Sequence, residues 1–544
     1  MLRIILIILT MSQMLFGLSI YFVDNTAGNN GDGSFEQPFN SIAEGMSHLQ
    51  AGDTLFVRGS QSGPAQIYNE ELYLSDSSPA GTQEAPIVVK AYQNEQVRII
   101  LQSSFSIYAT HWTFEDLIFD MDSKNYDTIK LKGDYITFRN CEITNGQKDG
   151  FDIAGASYTL IENCIIHNFT RSDQYDAHGI ILDGGLDNVF RNNTIYDCKG
   201  DCIQLYKSEQ NYGTLIEGNN LYTTLGAGSE NAIDVKAARN LRIINNKMHG
   251  FHDSEDSDGV ALKINKDSDD ILIYGNDIYE SNGGIRVSGG DVDSIRIERN
   301  VIHDLHVDGG DSSKYGYGIQ FDGVNKVHLI NNTMANIPGP LFWIASGSAT
   351  DIRMENNLFY RSNAFKGSAS EFKGNVFIDF NGWFKCQEII ASDNQVIGDD
   401  PSFVDEANYD YHLRGNSPAI DAGNPATGSD FPGGRVDLGA FEYEPATPID
   451  QTPPQPPQNL RFFNCYPNPF NPDTILEYEL VKSGQVRLDI FNILGERIDT
   501  LTNGFQSAGI YQKRWLANAL PAGIYFARLQ IGRQTKVQSL ILLK

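Results

Sequence analysis

Cysteine is scarce in this chain, six in 544 residues, and too scattered for a disulfide framework to hold a protein of this size. No CxxC pair or histidine cluster offers a zinc site. Basic residues are in deficit as well: 41 Lys and Arg stand against 69 Asp and Glu, a formal charge of −28. Nucleic acid and anionic membranes are thereby excluded as partners, since both require a basic face. A polyanionic substrate would also be repelled, except where bound cations reverse the local sign. Long apolar runs are missing but for one at the start. Arg3 supplies a positive n-region, Ile4 to Leu18 the apolar stretch and Gly17-Leu18-Ser19 a small-residue cleavage site, so residues 1–19 read as a secretory signal. Ser12 and Gln13 interrupt the run. With no second stretch long enough to cross a bilayer, the mature chain is expected to be exported, monomeric and without a membrane span.

What the chain does have is a repeat. Two alternating apolar residues, a two-residue gap, a small polar residue and another apolar residue recur down its middle. The pattern reads Leu241, Ile243, Asn246, Met248; then Ile271, Ile273, Asn276, Ile278; then Ile295, Ile297, Asn300, Ile302. Later copies carry Asn332 and Asn357, earlier ones Asn193 and Asn219, and Cys141 and Cys164 hold the same slot before those. Successive slots fall roughly 23 to 32 residues apart, the period of a solenoid coil. Period-two alternation means strands, and a corner Asn repeated from coil to coil can form a hydrogen-bonded amide ladder. The architecture that satisfies both is a right-handed parallel β-helix. Cys141 and Cys164 are expected to stack in its interior; Cys198 and Cys202 are spaced for a local bridge or for nothing.

Four segments follow from this pattern. After the signal, residues 20–443 form the β-helix. Its opening stretch, residues 20 to 100, carries a short amphipathic helix after Pro38-Phe39-Asn40-Ser41-Ile42, well placed to cap the first open sheet edge. Coils are expected from about 100 to about 380, with rim insertions at Gly250–Asp258 and Asp308–Lys314. A closing segment follows at 395–443. Residues 444–458 are a proline-dense linker. Residues 459–544, with short alternating strands and glycine turns, form a small antiparallel β-sandwich.

Within the coils, parity turns Ile233 and Val235 inward, so Asp234 and Lys236 point out; Asp152, Gln204, Tyr206, Arg286, Gln320 and Asp322 share that outer face. The fold class is all-β.

The final domain resembles the type A sorting domain of the type nine secretion system. Tyr466-Pro467-Asn468-Pro469-Phe470-Asn471-Pro472, Ile490-Phe491-Asn492-Ile493-Leu494-Gly495, Ala508-Gly509-Ile510-Tyr511 and Ala522-Gly523-Ile524-Tyr525-Phe526 carry the resemblance. It implies the type nine secretion machinery as a partner, and a protein that is released or held at the outer-membrane cell surface. The alternative for this domain is a carbohydrate-binding sandwich. The first 440 residues resemble the pectin-lyase-like β-helix superfamily, and the opening stretch resembles family-nine pectate lyases. One solenoid hosts lyases, hydrolases, epimerases and binding proteins, so activity must be argued from a site.

β-Elimination of a uronate polymer needs a cation on the substrate carboxylate, a base for the C5 proton, and help for the leaving oxygen. The family-nine resemblance implies calcium held by an Asp-Asp-Gly-Ile-Asp run and a lysine base on a neighbouring coil. The nearest run here is Glu230-Asn231-Ala232-Ile233-Asp234, with Lys236 just after it. Glu230, Asn231 and Asp234 offer oxygen ligands, joined by Asp201 one strand spacing (~4.8 Å) away on the preceding coil. Glu230 and Asn231 stand where two aspartates would be, which lowers the charge available to calcium. On the next coil Lys263 faces out, stacked over Asp234 or over Lys236. An adjacent cation, or Lys236 and Lys266, would lower its pKa toward the range of a base. Arg286, one coil further, could grip a carboxylate with two bonds. A second run, Asp149-Gly150-Phe151-Asp152, matches the same motif, but Ile181 falls where its lysine would be needed. Asp176-Ala177-His178 resembles the Asp-Pro-His of alginate epimerases, yet the tyrosine is misplaced at Tyr175, and His178 is expected to be an ordinary coil residue.

The expected activity is calcium-assisted cleavage of an acidic polysaccharide, with Lys263 as base. Two alternatives stand beside it: a glycoside hydrolase using Asp152, Asp183 and Asp201, and a glycan-binding adhesin stacking sugar on Tyr206, Phe342 and Trp343.

Overall fold

A computed structural model describes residues 19–444 except 29–30, 172–174, 207–210, 225–227, 254–256, 266, 308–315, 345–349, 363–370, 374–375, 379–389, 393–399 and 424–434. It also describes residues 460–542 except 467–469, 471, 481–483, 493–496, 507–508, 518–519, 522 and 532–533. The signal stretch, the proline-dense linker, the second rim insertion and Lys266 lie outside the described residues. The chain divides into two compact units, Met1–Glu444 and Pro445–Lys544.

The first unit is a parallel solenoid. One of its faces is a 13-stranded parallel sheet running from Gln66–Glu70 to Val376–Ile378. The other two faces merge into a 24-stranded sheet, joined through the long strands Gly283–Glu298 and Tyr317–Ile330. Inward positions are filled by Ile, Val, Leu and Phe at zero or near-zero exposure, as at Ile180, Ile203, Ile233, Leu262 and Ile285. Each such side chain contributes about 1.5–3 kcal/mol relative to exposure.

Stacking begins earlier than the repeat alone indicates. Strand Ile20–Val23 pairs in parallel with Thr54–Val57, and that strand with Ile87–Ala91. The opening stretch is therefore built of coils itself; its longer loops hide the period. The helix Ile42–Ser47 buries Ile42 and Met46 on the core. Its N-terminus is held by Ser41, which accepts from Glu44 N at 3.2 Å, and by the Glu70 carboxylate, which accepts from Ile42 N at 2.9 Å.

The amide ladder is present. From Asn193 through Asn219, Asn246, Asn276, Asn300 and Asn332 to Asn357, each Nδ2 donates to the next Oδ1 at 2.8–3.0 Å. Each Oδ1 from Asn219 onward also accepts the preceding asparagine's backbone N–H, at 2.9–3.0 Å. The residue before each ladder position has positive φ: Asn192, Asn245, Arg299, Asn331 and Asn356 near 55°, Gly218 and Gly275 near 65°. That left-handed corner suits Asn and Gly. Cys141 and Cys164 occupy the same slot as free, buried thiols. Their Sγ atoms donate to Phe114 O and Phe138 O at 3.5 and 3.6 Å, a weaker version of the amide's bond to the preceding coil. Cys198 and Cys202 are likewise buried and free.

At the far end, the closing segment lies along the last coils: Gly439 N donates to Asn356 O, Ala440 N to Thr333 Oγ1, and Arg299 pairs with Glu442 at 2.8 Å. The second unit holds two antiparallel sheets, of three and four strands, around Leu476, Tyr478, Leu488, Ile490, Trp515 and Leu529. Among the described residues no helix is long and apolar enough to cross a membrane.

Candidate functional site

Parallel pairing puts one outward position of each coil into a single axial row. It runs Lys130, Asp152, Ile181, Gln204, Asp234, Lys263, Arg286, Gln320, Trp343, neighbours standing about 4.8 Å apart. Of the two alignments open to Lys263, the structure adopts the one over Asp234. Asp234, Lys236, Lys263, Asn265, Arg286 and Asp322 line a depression of about 490 Å³.

Asp234 is 5% exposed although it points out of its coil, with Lys236 of its own coil and Asn265 of the next packed against it. Its Oδ1 accepts from Asn265 Nδ2 at 2.6 Å, and Lys236 Nζ lies 3.5 Å from its Oδ2. Arg286 engages Asp258, on the first rim insertion, through Nη1 at 2.5 Å. Asp201, on the coil before Asp234, is fully buried. Its Oδ2 accepts from Gln204 Nε2 at 2.8 Å, while its Oδ1 has no hydrogen-bond partner. Asn231 is also fully buried; its Nδ2 donates to Val260 O at 2.7 Å, and its Oδ1 is likewise without a partner.

Burial raises the pKa of all three carboxyls. Asp201 is driven well up, with the charges of Asp234 and Glu230 adding to the effect. Glu230 is pushed up to about 7 by burial and the nearby Asp176. Asp234 rises through burial, with Lys263 and Lys236 opposing. Burial alone would lower Lys236, but the charges of Asp234, Asp201 and Glu230 outweigh it and hold the ammonium above its usual range. Among the described residues no three His, Cys, Asp or Glu side chains come together as a cage for a metal ion. The oxygens that fit a hard cation are the two unpartnered ones, on Asp201 and Asn231, with Glu230 at the edge. Asp234 has both of its oxygens engaged.

A second polar row, two residues before the inward strand positions, escaped the sequence reading. Asp127, Asp149, His178 and Asp201 stack along the axis, each side chain accepting the backbone N–H of the next: Asp149 N to Asp127 at 3.4 Å, His178 N to Asp149 at 2.8 Å, Asp201 N to His178 Nδ1 at 2.9 Å. The signal was a polar residue, a small residue and then Ile or Phe, repeated in Asp127-Thr128-Ile129, Asp149-Gly150-Phe151, His178-Gly179-Ile180 and Asp201-Cys202-Ile203. His178 is thus held with its proton on Nε2. Burial and the charge of Lys236 drop its pKa to about 3, so it is neutral and no base at Nδ1.

The first acidic run also differs from expectation in one respect. Ile181 does pair with Asp152, but a lysine lies on the other side, where Lys130 Nζ contacts Asp127 at 2.7 Å and Asp152 at 3.2 Å. Burial pushes Asp149 there up to about 7. Among the aromatic candidates, Tyr206 is exposed but Phe342 is completely buried, packed edge-on against Phe359, and has no face for a sugar. The hydrolase set fares similarly at Asp201, whose burial keeps it from a scissile bond. Sequence reading also missed a stack of rings on the 13-stranded face, His167, Tyr196, Tyr222, His249, Tyr279 and His303, at centroid spacings of 4.7–5.1 Å. Its faces are turned to one another.

The fold is a right-handed parallel β-helix, and residues 231–401 match the family described as right handed beta helix region. More particularly, residues 21–264 match the Pel9A-like, right handed beta helix region. Residues 464–543 match the secretion system C-terminal sorting domain, which makes this a secreted or cell-surface protein of the type nine route. The chain is 23% identical over 457 residues to the uncharacterized protein YwoF of Bacillus subtilis (strain 168), covering 73% of this chain and 91% of that one. Among solved structures it is similar to pectate lyase Pel9A, with 17% identity, 78% of this chain and 96% of that one covered, and a TM-score of 0.41. It is also similar to XylC in complex with xylose (12%, 96% and 100%, 0.44) and to PfbA, a surface adhesin of Streptococcus pneumoniae (12%, 69% and 90%, 0.42).

Proposed function

We propose that this protein is an exported polysaccharide lyase that cleaves a uronate-containing glycan by β-elimination. The observation that carries the reading is the registered succession Asp234, Lys263, Arg286 on three consecutive coils of one outer face. The Pel9A-like match over residues 21–264 supports it. Lys263, in its neutral form, takes the C5 proton of a uronate lying along the row. The C4–O bond then breaks, a C4=C5 double bond forms, and the leaving oxygen takes a proton from water. Arg286, steadied by Asp258, holds a carboxylate of the chain, since a guanidinium is the side chain best matched to that group.

Calcium is the proposed cofactor, held by Asp201, Glu230 and Asn231, with Asp234 the fourth ligand once released from its present partners. When bound it would withdraw charge from the substrate carboxylate and so acidify the C5 proton.

A second reading places the same reaction at Asp149 and Asp152, favoured by Lys130 on the adjoining coil. Lys130 is held protonated there by Asp127 and Asp152 against the effect of burial, which suits it less to act as base.

The test is a screen of the mature protein on pectin, alginate and glycosaminoglycans, with and without chelator. Unsaturated products that absorb in the ultraviolet, lost in Lys263→Ala and kept in Lys130→Ala, are expected. Reducing ends without that absorbance would replace the lyase by a hydrolase, and glycan binding without product would make the protein an adhesin.

A further inference from the structure

Lys236 stands beside Asp234, one of the residues assigned to calcium. Its ammonium lies 3.5 Å from Asp234 Oδ2, and its charge also acts on Asp201, Glu230 and His178. Those groups come from three consecutive coils: His178 on one, Asp201 on the next, Glu230, Asp234 and Lys236 on the third. Asp234 is closed on its other side by Asn265, 2.6 Å from Oδ1. Two fully buried oxygens nearby, Asp201 Oδ1 and Asn231 Oδ1, have no hydrogen-bond partner. Buried oxygens left in this condition cost free energy, and a donor or a hard cation would relieve them. The centre therefore has two oxygens open to a donor or a cation, on Asp201 and Asn231, while Asp234 already has an ammonium beside it.

We infer that Lys236 is a tethered counter-ion that competes with a divalent cation for this centre, so that cation binding requires its ammonium to leave Asp234. An ammonium on a four-carbon stem can swing out without moving the strand, because the residue sits at the outer end of Ile233–Val235 and is half-buried. While it remains, two like charges would share one carboxylate, which opposes the incoming ion. Once it moves, Asp234 Oδ2 joins Asp201 Oδ1 and Asn231 Oδ1 as oxygen ligands of the kind hard cations select. The position of one lysine then sets how much calcium the centre needs. This inference rests on the cation reading of the centre proposed above.

Calcium binding to the mature full-length protein, followed by titration calorimetry, tests it without any substrate. Lys236→Met keeps the stem and removes the charge; Lys236→Arg keeps the charge. Removing the competitor should tighten calcium by roughly tenfold or more, and Lys236→Arg should leave it near wild type. Asp234→Asn in the Lys236→Met background should undo the gain. Equal calcium affinity in wild type and Lys236→Met would overturn the competition while leaving the cation site standing. Heat uptake in neither protein, nor in Lys236→Met at millimolar calcium, would overturn both. Unchanged melting of each variant in the absence of calcium shows that folding is not what is being read.

Discussion

Lys263 stacks in register on Asp234, one coil along the axis, with Lys236 reaching the same carboxylate from within Asp234's own coil. Asp234 is thus bracketed by two amines of different reach. One is fixed by a strand pair and looks outward; the other lies beyond the end of a three-residue strand and leans in. The proposed roles follow this asymmetry: Lys263 for chemistry on a bound chain, Lys236 for charge balance inside the centre.

Substitution of Lys263 by Met should lower turnover by roughly 10²–10⁴-fold, the usual contribution of a positioned base. Affinity for the glycan should hold within a few-fold. Initial rates of ultraviolet-absorbing product, set beside binding measured by calorimetry, check this. Loss of binding together with rate would instead make Lys263 a substrate anchor.

Arg286→Lys retains charge but not the planar fork. Because Arg286 already engages Asp258 at 2.5 Å, the substitution should raise KM several-fold with a smaller change in kcat, in keeping with the poorer match of an ammonium to a carboxylate. Asp258→Asn should shift KM in the same direction by freeing the guanidinium. Steady-state kinetics on one polymer suffices.

Stability should fall as pH rises through neutrality, and Asp149 should be one cause. Burial raises its folded pKa to about 7 from the ordinary 3.8. A carboxyl raised in the folded state binds more protons there than in the unfolded chain. Its stabilising effect is therefore complete below about pH 4 and is lost as pH climbs past 7. Asp149→Asn keeps the bond from His178 N and removes the titration. Thermal melts between pH 4 and 8 should show a shallower decline in this variant, by on the order of 4 kcal/mol across the window.

Asn276→Leu should destabilise the solenoid by roughly 2–4 kcal/mol, since it strands several buried groups at once. Asn276 accepts from Asn246 N and Nδ2 and donates to Ile243 O and Asn300 Oδ1, all at 2.9–3.0 Å. Chemical denaturation compared with Asn276→Asp and wild type measures the loss.

The ladder and the alternation could be read from residues alone because both are periodic and both serve the interior, where geometry leaves little choice. Lys263's outward direction was legible for the same reason: parity does not depend on loop length. What could not be read was the company each outward group keeps. Asp234 is buried because side chains from its own and the next coil fold over it, and no spacing rule announces that. The row from Asp127 to Asp201 stayed hidden because it bonds side chain to backbone and mixes Asp with His. The early coils were missed because their loops stretch the period beyond recognition.

Each coil's corner amide gives one bond forward and takes one from behind, so the ladder is blind to how many members it has. A whole turn can be inserted or excised between two such asparagines, and the joined ends still meet like for like. The stretch from Asp201 to Arg286 is where that freedom would end, because the chemistry proposed for it draws on four adjacent turns in fixed succession, and losing any one would leave a sound protein with a scrambled surface.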